Sequence, residues 1–234
     1  MSTHHHDGGM PFHPVEPSRA TRKISLRGRF SFRGALVWKF RGSERIFTYE
    51  SLLECTTLHV LLTDRHVVDI WDQAPPVTYF DELGESHTHT FDFLVTYACG
   101  KQIGYAVKPH DRAYRVEENG FRPFVDQMAR VRRACGHEVR IVTEKSFSRV
   151  QDRDAELTFH YLRRPDNEAD AAVLEAAHTL NGIYPLKTLR KISGVGPRFF
   201  GSVVRLIAAG KLAKRSVTRL DPDSKIETVR DRDV

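Results

Sequence analysis

Two short runs between Phe91 and Pro109 limit the fold more than any other feature of the chain. Phe91, Phe93 and Val95 alternate along the first, leaving Asp92, Leu94 and Thr96 on the other face. Ile103, Tyr105 and Val107 alternate along the second, leaving Gly104, Ala106 and Lys108. Residues 97–102 between them include Gly100 and read as a hairpin turn. Folding the runs about that turn gives two antiparallel strands, with Asp92 roughly opposite Lys108 on one face. A slip of one residue in register would undo this pairing.

Upstream, Tyr49 to Leu62 carries Leu52, Leu53, Leu58, Leu61 and Leu62 at helical spacing. Glu50 and Glu54 are four apart and share a helix face, either as a solvated pair or as part of a site. An acid on a helix, an acid on a strand and a lysine on the next strand are the parts of a metal-dependent phosphodiester nuclease. Carboxylates hold the cation that neutralises charge on the reacting phosphate. A lysine beside it orients the nucleophile or stabilises the transition state as a point charge.

The rest of the chain supports an α/β core. Leu36 to Phe40 and Val67 to Ile70 read as strands, and Pro75 and Pro76 end regular pairing after the second. Residues 80–90 read as an acidic, polar loop, in which His87 and His89 form a weak metal signal. Phe121 to Ala134 reads as an amphipathic helix capped by Gly136, leading into a buried strand from Val139 to Val142. Arginines at 27, 29, 33, 41 and 45, interleaved with Phe30, Phe32, Trp38 and Phe40, fit either a phosphate-tracking surface or a solvated edge hairpin.

The 234 residues allow one large or two small domains. A polar tail, expected to be disordered, takes in 1–22 and includes His4, His5 and His6; 23–150 form the core domain and 151–234 a second domain. The second begins with a polar connection holding an amphipathic segment near Leu157. Three helices follow, over Asp170 to Leu180, Leu186 to Ile192 and from Pro197, and then a two-stranded wing. That order suggests a winged helix-turn-helix. From Ala176 through Leu220 there is no Asp or Glu, while Lys187, Arg190, Lys191, Arg198, Arg205, Lys211, Lys214, Arg215 and Arg219 all fall there. Such a block faces nucleic acid or a docked protein. The net charge of +6 agrees with an anionic partner. Three cysteines at long spacings fit neither a disulfide framework nor a zinc knuckle. With no apolar run of about 18 residues, a non-membrane, cytoplasmic protein is expected.

At Glu54, Val67-Val68-Asp69-Ile70-Trp71-Asp72-Gln73-Ala74-Pro75, Phe91-Asp92-Phe93-Leu94-Val95 and Val107-Lys108-Pro109 the sequence resembles the TnsA-type transposon endonucleases. These are the endonuclease subunits of heteromeric cut-and-paste transposases. The resemblance spans about residues 45–145. It implies a restriction-endonuclease-like core and Mg2+-dependent hydrolysis, with Mn2+ as a substitute, at the 5′ ends of a transposon. It further implies double-stranded transposon-end DNA, a transposase subunit and an AAA+ ATPase regulator as partners. By carry-over, Glu54 and Asp92 serve the metal, the Val107 carbonyl contributes to it, Lys108 is the catalytic lysine and Gln73 supports the site. The family's Gln or Glu two residues before the lysine is Ala106 here. Glu50 or a water replaces it, or activity is reduced or lost. The remaining readings are a DNA-binding or assembly subunit that does not cleave, and a winged-helix regulator.

Overall fold

The structure is a computed structural model describing residues 14–22, 32–40, 43–118, 120 and 122–230. It is a mixed α/β protein. Strands β1 (Gly34–Phe40) and β2 (Ser43–Tyr49) form an antiparallel ribbon, followed by helix α1 (Leu52–Thr63) and strand β3 (Val67–Asp72). A hairpin of β4 (Val77–Phe80) and β5 (Ser86–His89) precedes β6 (Phe93–Tyr97) and β7 (Gln102–Val107). A single-turn helix α2 (His110–Ala113) leads to α3 (Pro123–Cys135), β8 (Glu138–Val142) and α4 (Arg149–Leu162). The C-terminal part contains α5 (Asn167–His178), β9 (Ile183–Pro185), α6 (Leu186–Ser193), a 3-10 turn (Gly196–Arg198), α7 (Phe199–Ala208), β10 (Leu212–Lys214) and β11 (Lys225–Thr228).

The central sheet has the order β3-β6-β7-β8. β3, β6 and β7 run antiparallel, while β8 returns parallel to β7 through the α3 crossover. α1 lies on one face, burying Leu58, Leu61 and Leu62 against Ile70, Phe93, Val95 and Ile103. α3 covers the other, with Met128 and Val131 packed on Phe91, Ala106 and Tyr79. Local chemistry fixes both helix ends that matter here. Ser51 caps α1 by accepting from the Glu54 N–H, and Gly136 closes α3 in the left-handed region at φ 69°.

Phe91 departs from the expected alternation. Its ring lies on the α3 face, whereas Phe93 and Val95 lie on the α1 face. The chain bends at Asp92, and the Phe91 carbonyl accepts from the Ala74 N–H. Gly104 makes room for the ring: a Cβ there would sit 2.6 Å from the Phe91 ring carbons. Gly104→Ala is expected to cost about 1–3 kcal/mol through overpacking, read as a lower urea midpoint at unchanged slope.

Two further expectations are corrected. Residues 80–90 contain strand β5 rather than only a loop, because Tyr79 and His87 pair across the hairpin. Residues 14–22, placed in a disordered tail by the sequence, are bound to β2 and β3. Glu16 exchanges backbone hydrogen bonds with Glu44 and Ile46, and Ser18 Oγ donates to Asp72 Oδ2 at 2.6 Å. The Trp71 indole N–H donates to the Arg19 carbonyl at 2.8 Å. His4, His5 and His6, with Arg27, Arg29, Phe30, Arg41 and Phe121, lie outside the described residues.

The C-terminal part has its own core, with Val173, Leu189, Val203 and Ile226 fully buried and a sheet of order β10-β11-β9. α4 belongs to both cores. Its Phe159 packs in the first and stacks on Trp38, while Leu157 and Tyr161 pack on the second. Among the described residues no helix is long and apolar enough to cross a membrane.

Candidate active site

Asp92 sits where β6 begins, and its carboxylate is fixed by backbone. Its N–H donates to the Tyr105 carbonyl, and its Oδ2 accepts the Val107 N–H at 2.7 Å. The carboxylate thereby fills a rung of the β6–β7 ladder. Gln73, at the end of β3, faces it. The Gln73 N–H donates to the Asp92 carbonyl, and Gln73 Nε2 donates to Asp92 Oδ1 at 3.3 Å. Gln73 is fully buried and, at φ 46°, is the non-glycine residue in the left-handed region among the described residues. A side chain held there carries backbone strain; the hydrogen bonds on both ends of Gln73 maintain it.

Glu54 approaches from α1. Its Oε2 accepts the Glu50 N–H at 2.7 Å and its Oε1 accepts the Ser51 hydroxyl at 2.9 Å. Ser51 and Glu54 thus form a reciprocal cap at the helix start, a Ser-x-x-Glu signature readable in the sequence. Glu54 is buried, and burial first, then the neighbouring Glu50 charge, raises its pKa. Asp92 is pushed up to about 7, first by burial and next by the Glu54 charge. Bonds from Val107 and Gln73 and the charge of Arg22 oppose that shift. The two acids predicted from distant parts of the chain therefore lie within electrostatic reach of each other.

Arg22 completes the cluster. Its guanidinium donates to Glu50 Oε2 and lies 3.4 Å from Gln73 Oε1, and its charge acts on both Glu54 and Asp92. The donors gathered here are all oxygens: the carboxylates of Glu50, Glu54 and Asp92 and the amide oxygen of Gln73. Such a set suits a hard divalent cation such as Mg2+. Each carboxylate oxygen already accepting one hydrogen bond retains a second lone pair.

Lys108 is not gathered with them. The register places Phe93 opposite Tyr105, so Asp92 stands beside Ala106 and Lys108 lies one same-face position beyond. Its ammonium sits 4.3 Å above the Phe124 ring, and its charge acts on His89. His89 is pushed down to about 4 by burial first and by Lys108 second, and its Nε2 has no hydrogen-bond partner among the described residues. His87 goes elsewhere. With Asp81 and Glu85 it forms the exposed group whose donor atoms lie within 4.8 Å of one another, and its Nε2 is 2.8 Å from Asp81 Oδ2. The His-x-His spacing therefore does not act as one ligand pair. Ala106 is buried against α3 and offers no donor.

No protein-family model and no curated protein matches this chain.

The basic C-terminal block is largely neutralised in the fold by acids outside it. Arg198 pairs with Asp166 and Glu168, Lys214 with Asp154, Arg215 with Glu227 and Lys187 with Asp223. Arg205 is buried: Nε and Nη2 both reach the Asp170 carboxylate, and further bonds run to the Arg164 carbonyl and Ser202. α7 is also covered. Phe200 meets Tyr161 of α4 edge-on, and a Cβ on Gly201 would sit 2.8 Å from the same ring. Exposed Arg190 and Lys191, at the end of α6, have no ion-pair partner among the described residues. The sequence block therefore overstates the cationic surface, because it cannot show which acids fold back onto it.

Proposed function

We propose that this chain is the Mg2+-dependent DNA endonuclease subunit of a heteromeric transposase, with a restriction-endonuclease-like core and a C-terminal winged helix. The meeting of Glu54 and Asp92, remote in sequence, in one oxygen-lined cluster at the end of the central sheet carries this reading. The helix, strand, helix, helix, strand, strand order and the β10-β11-β9 sheet support the winged helix. The transposase and AAA+ ATPase partners, and the choice of 5′ transposon ends, follow from the family resemblance.

Glu54 and Asp92 would hold the ion, with Glu50 and Gln73 beside them. Bound there, Mg2+ neutralises the phosphate and lowers the pKa of its water. The Val107 N–H orients the Asp92 carboxylate, and its carbonyl is the backbone contribution that the resemblance implies. Lys108 acts from an adjacent position. Its contact with Phe124 is worth about 0.5–1 kcal/mol, so a phosphate at the site draws the ammonium across at small cost.

In the presence of the transposase subunit and Mg2+ or Mn2+, transposon-end DNA is expected to be cut. Asp92→Ala should abolish cutting, and Lys108→Ala should lower it by about 10²–10³-fold, as for loss of a transition-state donor. A second reading, an assembly subunit that binds DNA without cutting it, is favoured by Ala106 and by Lys108 resting on Phe124. DNA binding with no cleavage in either metal, with the transposase present, would select it.

A further inference from the structure

The nuclease reading names two carboxylates for the metal, yet three converge, and a cation of the protein's own already lies among them. Residues 14–22 run as a strap along β2 and β3. Ser18 is fastened to Asp72, Arg19 to Asp69 at 2.8 Å, and the Thr21 N–H and hydroxyl to the Gln73 carbonyl at 3.0 and 2.9 Å. These bonds deliver the next residue, Arg22, to the acids. Its guanidinium pairs with Glu50, contacts the Gln73 amide oxygen, and acts electrostatically on Glu54 and Asp92. The backbone carbonyl of Gln73 is held by Thr21 while its side chain bridges Arg22 and Asp92, so strap and site share one residue.

Resting on that reading, we infer that Arg22 and a divalent cation compete for one carboxylate set made of Glu50, Glu54 and Asp92, with Glu50 supplying the third acid where Ala106 supplies none. Three carboxylates without a cation repel one another, which favours either positive group. The two cannot be held together, because a guanidinium has five fixed donors and accepts nothing. Ion entry therefore turns the Arg22 side chain outward, where more than half of it is already exposed, while Ser18, Arg19 and Thr21 keep the strap in place. Metal affinity is set below what the carboxylates alone would give. Any partner or DNA phosphate that takes up Arg22 raises it.

Calorimetric titration of the full chain with Mn2+, without DNA, tests this. Arg22→Ala should bind Mn2+ about tenfold more tightly than the parent protein, and Glu50→Gln about tenfold more weakly when introduced into the Arg22→Ala protein, where its partner is already gone. Unchanged or weaker binding by Arg22→Ala overturns the competition. Unchanged binding on adding Glu50→Gln removes Glu50 from the set. Asp92→Asn separates this inference from its foundation. If that variant binds Mn2+ as the parent does, the nuclease reading itself falls; if it loses Mn2+ while Arg22→Ala changes nothing, only the inference falls. Thermal melts before titration show that each variant is folded, and Arg22, being largely exposed, leaves the cores untouched.

Discussion

Asp92→Asn is expected to make the protein more stable at pH 8 in the presence of a chelator, by about 2–3 kcal/mol. An ordinary aspartate has a pKa of 3.8, and in the fold Asp92 is pushed up to about 7. Folded protein therefore binds its proton more tightly than unfolded chain does. The stabilisation from the protonated carboxyl is complete below the unfolded value and is lost as pH rises through about 7. Above that, the fold carries an ionised carboxylate beside Glu54. A shift of about three units corresponds to about 4 kcal/mol, reduced here because Asp92 keeps part of its surface open to solvent. Asparagine keeps an oxygen for the Val107 N–H and removes the charge. Urea unfolding at pH 5 and pH 8 checks this: parent and variant should differ little at the lower pH and widely at the higher. An equal loss of stability at both pH values would show that the carboxylate serves packing rather than bearing repulsion. Mn2+ should stabilise the parent and not the variant, since only a species that binds the native state shifts the equilibrium.

Arg205→Ala is expected to destabilise the C-terminal core by about 3–5 kcal/mol. The sequence places Arg205 in a cationic block, but its side chain is enclosed and bonded to Asp170 at 2.6 and 2.8 Å. Truncation leaves Asp170 and the Arg164 carbonyl without their donor, and an ion orphaned in a core costs several kcal/mol. Arg190→Ala with Lys191→Ala, at exposed positions, should change stability by less than about 0.5 kcal/mol. Denaturant melts of both variants provide the comparison. A folded, fully stable Arg205→Ala protein that had lost DNA binding would return Arg205 to the surface role.

Period-two patterning made β6 and β7 legible, and helical spacing made α1, α3 and the C-terminal helices legible, because each buries one face against a neighbour. Periodicity could not show that the chain bends at Asp92 and sends Phe91 to the opposite face. That outcome depends on Gly104, in a different strand, leaving space for a ring. The same bend shifted Asp92 from Lys108 to Ala106. Glu54 was found by its helix, although the Ser51-x-x-Glu54 cap that holds it was a stronger local signal. Strap residues 14–22 were read as unstructured from polarity alone. Their partners, Asp69, Asp72 and Gln73, lie some fifty positions away, as the separations of 50, 54 and 52 in their hydrogen bonds show. The ion pairs of the basic block were hidden for the same reason, since Arg205 and Asp170 meet only after α5 and α7 pack.

Because α4 lends Phe159 to one core and Leu157 and Tyr161 to the other, the two halves should melt as a single cooperative unit. A cut placed just before it would strip an aromatic lid from Trp38, and a cut just after it would leave Phe200 and Gly201 facing water. Whatever tugs on the C-terminal half is thereby felt, through one rigid rod, at the helix whose first turn carries Glu54.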